Sequence, residues 1–144
     1  MKFVKDLLGS KGSVWSVSPD TPVREVLKLF NEKNIGAVPV LSADETIAGI
    51  FSERDYARAG ARDDKLCLDC PVADVMTTKV ICIDPDRTID DCMALMTDKR
   101  IRHLPVLKDG KMAGIVSIGD VVKATLADKD ILIDQLEHYI EGSM

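Results

Sequence analysis

The chain has 144 residues, 46% apolar and 30% charged, with 19 basic against 24 acidic side chains for a net charge of −5. This describes one globular domain or a compact pair of small units. A net-negative chain with only 4% aromatics excludes general nucleic-acid binding through a basic, base-stacking surface.

Read along the chain, Met1-Lys2-Phe3-Val4-Lys5-Asp6 has no long apolar core behind its lysines, so no signal peptide is expected. Residues 14–17 have the β-branched character of a short strand and lead to Pro19. Asp20 or Thr21 is placed to cap a helix beginning near Pro22, whose apolar face is Val23, Val26, Leu27 and Phe30. Strands are expected over 37–41 and 46–51, and a second helix follows Ser52-x-x-Asp55. The longest nearly uninterrupted apolar stretch, Ile35 to Leu41, is far short of the roughly 20 residues of a membrane helix. Residues 63–71 have the charge and closing proline of a surface linker, and residues 72–76 look like a short helical turn. The pattern then recurs: a strand over 80–83, a helix with Ile89, Cys92, Met93 and Met96 on its apolar face, strands over 103–108 and 112–117 joined at Asp109-Gly110, and a helix after Ser117-x-x-Asp120. That last helix is expected to run toward Gly142. Its 128–141 portion carries five acids against one base, and Leu132, Leu136 and Ile140 form a stripe for packing on the body or on a partner helix.

The recurrence is a duplication. A shift of 66 gives 8 identities in the 23 positions from 19 to 41, including Pro39-Val40-Leu41 on Pro105-Val106-Leu107. After one residue is lost in a turn, a shift of 65 gives 5 identities in the 11 positions from 46 to 56, including Ser52 on Ser117 and Asp55 on Asp120. The expected class is α+β, built from two β-α-β-β-α units. Neither unit buries enough surface to fold alone, so a shared core is expected. The division is 1–62 for the first unit with its N-terminal segment, 63–71 for the linker, 72–127 for the second unit and 128–144 for a helical extension.

Ile35-Gly36-Ala37-Val38-Pro39-Val40 with Gly49-Ile50-Phe51-Ser52-Glu53-Arg54-Asp55, and their partners Arg100-Ile101-Arg102-His103-Leu104-Pro105-Val106 with Gly114-Ile115-Val116-Ser117-Ile118-Gly119-Asp120, resemble the CBS domain, which occurs as tandem pairs called Bateman modules. Asp74-Val75-Met76-Thr77 is similar to the usual lead-in of such a unit. The resemblance spans about residues 1–127 and is greatest to small stand-alone members. It implies two clefts between the copies that take AMP, ADP, ATP, NAD(H) or S-adenosylmethionine, and pairing into homodimers through the helices after Ser52 and Ser117.

Ser52-x-x-Asp55 and Ser117-x-x-Asp120 each mark a strand end and a helix start. Both fit a capping box, and both fit a nucleotide site in which a helix N-terminus faces phosphate and a carboxylate accepts a ribose diol. The resemblance implies that Asp55 and Asp120 contact ribose and that Ser52 and Ser117 lie near phosphate. It also implies that Gly36-Ala37-Val38-Pro39 and Arg102-His103-Leu104-Pro105 frame adenine and that Trp15 and Ile81 line the clefts, ordinary core packing being the alternative for all of them. Arg54, in the first helical turn, is a phosphate candidate, with Gly119 and Lys123 beside Asp120. Arg102, His103 and Lys123 favour the Asp120 cleft. Arg54, Arg58 and Arg62 form one stripe, read by default as a solvated face paired with Glu53, Asp63 and Asp64.

The four cysteines do not form a secreted disulfide framework. Cys67-x-x-Cys70 has a spacing usable for zinc or dithiol chemistry, but no second such pair exists to complete a zinc site, so no metal is expected. Cys82 in a strand and Cys92 on an apolar helix face read as core. No nucleophile with its base, paired carboxylate or phosphate-binding loop is present, so no catalytic residue is assigned. The leading reading is a non-enzymatic cytoplasmic sensor that binds an adenine nucleotide and regulates a separate, unidentified protein, with no nucleic acid, membrane or required cofactor. The alternative is a ligand-independent dimeric adaptor.

Overall fold

The computed structural model describes residues 2–8, 14–62 and 67–127. Its elements are α1 (Val4–Leu8), α2 (Val23–Lys33), β1 (Ala37–Leu41), β2 (Ile47–Ser52), α3 (Glu53–Arg62), a 3-10 turn at Val72–Asp74, α4 (Ile89–Lys99), β3 (His103–Lys108), β4 (Lys111–Ser117) and α5 (Ile118–Ala127). The expected final helix therefore begins as α5, and the stripe of Leu132, Leu136 and Ile140 lies outside the described residues.

The repeat is visible in the backbone. Strand β1 pairs antiparallel with β2, and β3 with β4. Each ladder slips at the same place: Val40 faces Gly49 while Leu41 faces Ile47, and Val106 faces Gly114 while Leu107 faces Met112. Ala48 and Ala113 are the extra residues of matching bulges. The β3–β4 turn has positive φ at both Asp109 and Gly110, 53° and 78°, as a two-residue hairpin requires. The longer β1–β2 loop is held by Asp44 Oδ1, which accepts from Thr46 N at 3.2 Å and Thr46 Oγ1 at 2.7 Å.

The first strand of each expected unit is reduced to a single parallel bridge, Val17 with Val40 and Ile83 with Val106. Val17 N donates to Pro39 O and Leu41 N to Val17 O; Ile83 N donates to Pro105 O and Leu107 N to Ile83 O. Extending either ladder one step back would require a donor at Pro39 or Pro105, and proline has none. The capping expectation for α2 is also corrected. Pro22 is the N-cap, and the Thr21 hydroxyl instead accepts from Ser18 N at 3.2 Å.

Two buried clusters replace the expected shared core. Val23, Val26, Phe30, Val38, Val40, Phe51 and Val72 form one, in which the Phe30 and Phe51 rings stack at 5.9 Å; Val4, Leu7, Ile83, Ile89, Cys92, Met96, Leu104, Val106, Val116 and Val121 form the other. Of the apolar faces read for the long helices, Val23, Val26, Phe30, Ile89, Cys92 and Met96 are buried, and Leu27 and Met93 are partly buried beside them. In space each lead-in segment packs on the other unit. Val4 and Leu7 lie in the second cluster, and Lys2 O accepts from Ile89 N at the start of α4. Leu68, Val72, Val75 and Met76 pack in the first cluster, so residues 68–71 are more than a surface loop.

Glycine makes the crossing possible. A Cβ at Gly49 would lie 2.6 Å from Met76 Sδ and 2.7 Å from Thr77 O. At Gly114 it would meet Leu8 Cδ2 at 2.6 Å. Backbone cannot give way as a leucine tip can. Gly49→Ala should therefore destabilise by about 1–3 kcal/mol in urea unfolding, with Gly114→Ala milder; equal losses would contradict this account of the crossing.

Candidate functional site

Strand β2 delivers its last residue, Ser52, directly to the first turn of α3. Ser52 N and Oγ donate to Asp55 Oδ2 at 2.9 and 3.0 Å, and Asp55 N donates to Ser52 Oγ at 3.2 Å. At α5, Ser117 N donates to Asp120 Oδ2 at 2.8 Å and Asp120 N to Ser117 Oγ at 3.1 Å. Both motifs are thus reciprocal caps that satisfy orphan helix-start amides.

Asp55 makes one further contact. Its Oδ1 accepts from Thr77 Oγ1 at 2.9 Å. Thr77 is fixed from behind, since Ile50 N donates to Thr77 O and Thr77 N to Ile50 O, each at 2.9 Å. The lead-in of the second repeat therefore sits against the helix start of the first. Between them is an open depression of about 510 Å³ lined by Asp55, Arg58, Arg62, Thr77, Thr78 and Lys79, with Ala61, Val75 and Met76 supplying apolar wall. Three cations face one carboxylate in a protein whose net charge is −5. Among the described residues no ion pair engages Arg58, Arg62 or Lys79; Asp63 and Asp64, the expected partners of the arginine stripe besides Glu53, lie outside the described residues.

The remaining candidates are placed as follows. Arg54 reaches across to the second unit, its Nη1 donating to Arg100 O at 3.2 Å, where a cation and a donor meet the C-terminus of α4. Gly36 lines a second depression of about 530 Å³ with Leu27, Phe30, Asn31, Asn34, Ile35, Glu53 and Tyr56, while Asp55 lines the first. Val38, Pro39 and Leu104 are fully buried, and Ala37 and Pro105 are buried; these side chains are core. Trp15 is 44% exposed with Lys33 Nζ 4.5 Å above its ring, and Ile81 packs half-buried on the second cluster. His103 is half-buried opposite Ser117, while Arg102, Gly119 and Lys123 are exposed. Arg102 O accepts from Ile118 N at 2.8 Å, as Gly36 O accepts from Glu53 N at 3.0 Å. By the 66-residue shift the counterpart of 77–79 is 11–13, which lies outside the described residues.

Sequence reasoning overlooked Thr77, Thr78, Lys79 and Arg62 as lining residues. A signal was present, because a glycine inside a strand marks close backbone approach, and Gly49 is where the 76–77 segment passes.

Cys67 and Cys70 form a disulfide with Cα atoms 5.3 Å apart. Cys82 is half-buried and outside any strand, and burial raises its thiol; burial pushes the fully buried Cys92 thiol up to about 11. Among the described residues, no group of three His, Cys, Asp or Glu side chains is arranged to hold a metal, and no helix is long and apolar enough to cross a membrane.

A sequence description of the CBS domain matches residues 4–62 and again 72–127. The mitochondrial CBS domain-containing protein CBSX3 of Arabidopsis thaliana is 38% identical over 149 residues, covering 96% of this chain and 72% of that protein. The CBS domain pair of protein MJ0100, solved with 5′-methylthioadenosine and S-adenosyl-L-methionine, is 25% identical with a TM-score of 0.78, covering 90% of this chain and 99% of the other. A CBS domain protein of Pyrobaculum aerophilum complexed with AMP is 26% identical with a TM-score of 0.73, covering 82% and 88%.

The caps carry a measurable stability. Ser52→Ala and Ser117→Ala should each lower unfolding free energy by about 1 kcal/mol, whereas Thr77→Val should cost about 0.5–1.5 kcal/mol through one lost hydrogen bond. Urea titrations that leave all three unchanged would show that these contacts do not persist in solution.

Proposed function

The chain belongs to the CBS-domain family and carries two copies of the domain, and from that premise we propose that it is a non-enzymatic regulatory module that binds an adenine nucleotide and acts in trans on a separate protein. The observation that carries this reading is the depression in which Asp55, fixed by Ser52 and Thr77, faces Arg58, Arg62 and Lys79. A helix-start carboxylate with spare lone pairs accepts ribose hydroxyls, the hydroxyls of Thr77 and Thr78 are adjacent, and the three cations complement phosphate. Ala61, Val75 and Met76 offer apolar surface to a base. AMP, 5′-methylthioadenosine and S-adenosylmethionine share the adenosine moiety, so ligands found on similar folds support an adenosine-centred site.

Asp120, capped by Ser117, is a second ribose acceptor, with Gly119 and Lys123 on its own helix and Arg102 and His103 at the strand start that pairs with Ser117. First place goes to Asp55, because three cations share its depression. ATP and NAD(H) are included as ligands alongside AMP. Signalling follows from differential affinity: a ligand held by α3 and residues 77–79 together favours whichever arrangement keeps them adjacent. A homodimer through α3 and α5 and a cytoplasmic location complete the reading. Val122 on α5, 47% exposed, is apolar surface of the kind such an interface covers.

Calorimetry with AMP, ATP and NAD(H) tests the proposal, with light scattering for the dimer. Asp55→Ala should weaken binding by about 1.5–3 kcal/mol, roughly ten- to a hundredfold, at a stability loss no larger than that of Ser52→Ala. A greater loss for Asp120→Ala would put the occupied site in the second repeat. No heat and no thermal shift at millimolar nucleotide would leave the ligand-independent adaptor.

A further inference from the structure

Helix α2 begins without the cap its counterpart has. Thr88 and Asp91 close a reciprocal capping box at α4, while Pro22, the N-cap of α2, provides no side-chain bond. The first amides of α2 are taken instead by the turn that the Cys67–Cys70 disulfide closes. Val23 N donates to Cys70 O at 2.9 Å and Arg24 N to Leu68 O at 2.8 Å. Arg24 Nε also reaches Asp69 Oδ1 at 3.4 Å, and Leu68 packs on the first buried cluster. A turn braced by a disulfide presents these two carbonyls in register with the helix start; an open Cys-x-x-Cys segment has more conformations to lose before it can do so. Cys67 is exposed and Cys70 half-buried, so the bond is within reach of an external thiol.

We propose that the Cys67–Cys70 disulfide is a redox-sensitive clasp on the N-terminus of α2, opened and closed by exchange with a dithiol. In the opening step a thiolate of the dithiol attacks the exposed Cys67 Sγ. The Sγ–Sγ bond breaks, and Cys70 Sγ leaves as a thiolate that takes up a proton. The second thiolate of the dithiol then attacks its own sulfur in the mixed disulfide and releases Cys67, which is protonated in turn. The protein disulfide gains two electrons and the dithiol becomes a disulfide; closing is the reverse, with an oxidised dithiol as acceptor. In reducing compartments the disulfides that do form are characteristically transient and redox-sensing. The clasp requires no nucleotide, so it stands or falls separately from the binding site.

The test equilibrates the full chain in buffers of defined oxidised-to-reduced dithiothreitol ratio. Alkylation and peptide mass spectrometry count the thiols at Cys67 and Cys70, and hydrogen exchange is read at Val23 and Arg24. The expected result is one two-thiol transition, with protection at Val23 and Arg24 falling at least tenfold over the same range. Protection at Ile89 and Cys92, at the start of α4, stays constant. The Cys67→Ser/Cys70→Ser variant should show the low-protection pattern in every buffer; if it does not fold, the titration of the parent chain decides alone. Two outcomes overturn the proposal: Cys67 and Cys70 remaining thiols in fully oxidised buffer, or protection at Val23 and Arg24 that is the same in both redox states.

Discussion

The pair of backbone hydrogen bonds joining Ile50 to Thr77 holds the arrangement together. It adds the lead-in of the second repeat to the edge of the first hairpin, and it exists because Gly49 leaves no Cβ in the way. At the other end, the N-terminal segment does the equivalent work: Val4 N and Lys5 N donate to Arg87 O and Pro85 O, and Leu8 covers Gly114. Each short unit is completed by chain that sequence order assigns elsewhere. A half of this size buries too little surface to be stable, and the exchange makes the two interdependent.

The same crossing builds the candidate site. Asp55 is first a structural residue, since its Oδ2 serves the start of α3 through Ser52. Its Oδ1 is turned toward Thr77, on the segment that the Ile50 bridge carries past. A carboxylate accepts several donors at once, so cap and ligand contact are compatible. Arg54 shows the opposite case: it borders the same helix start in sequence, yet its guanidinium is engaged by the carbonyl of Arg100 at the end of α4.

The two repeats differ in how their first long helices are begun. Helix α4 uses a side-chain box and the carbonyl of Lys2. Helix α2 uses proline for its backbone direction and borrows acceptors from the Cys67-x-x-Cys70 turn. Both solutions satisfy orphan amides of the first helical turn, Ile89 N and Asp91 N in one case and Val23 N and Arg24 N in the other. Both borrow carbonyls from distant chain, but only the start of α2 leans on a disulfide-closed turn.

Much of this was legible in the amino-acid order. The duplication, the amphipathic faces Val23-Val26-Phe30 and Ile89-Cys92-Met96, both hairpins and the two Ser-x-x-Asp caps follow from local pattern, because helix periodicity, turn stereochemistry and cap geometry act within a few residues. What the order of residues could not contain was decided by contacts between distant segments. Pro39 and Pro105 cut the first strands to single bridges only because those strands lie parallel to β1 and β3. Thr77 meets Asp55, and Lys79 joins Arg58, only because the lead-in crosses at Gly49. Gly36, whose carbonyl accepts from Glu53 N at the start of α3, and Asp55, in the first turn of that helix, line different depressions. Pattern within one segment specifies that segment; which segments become neighbours is settled by how two incomplete cores close upon each other.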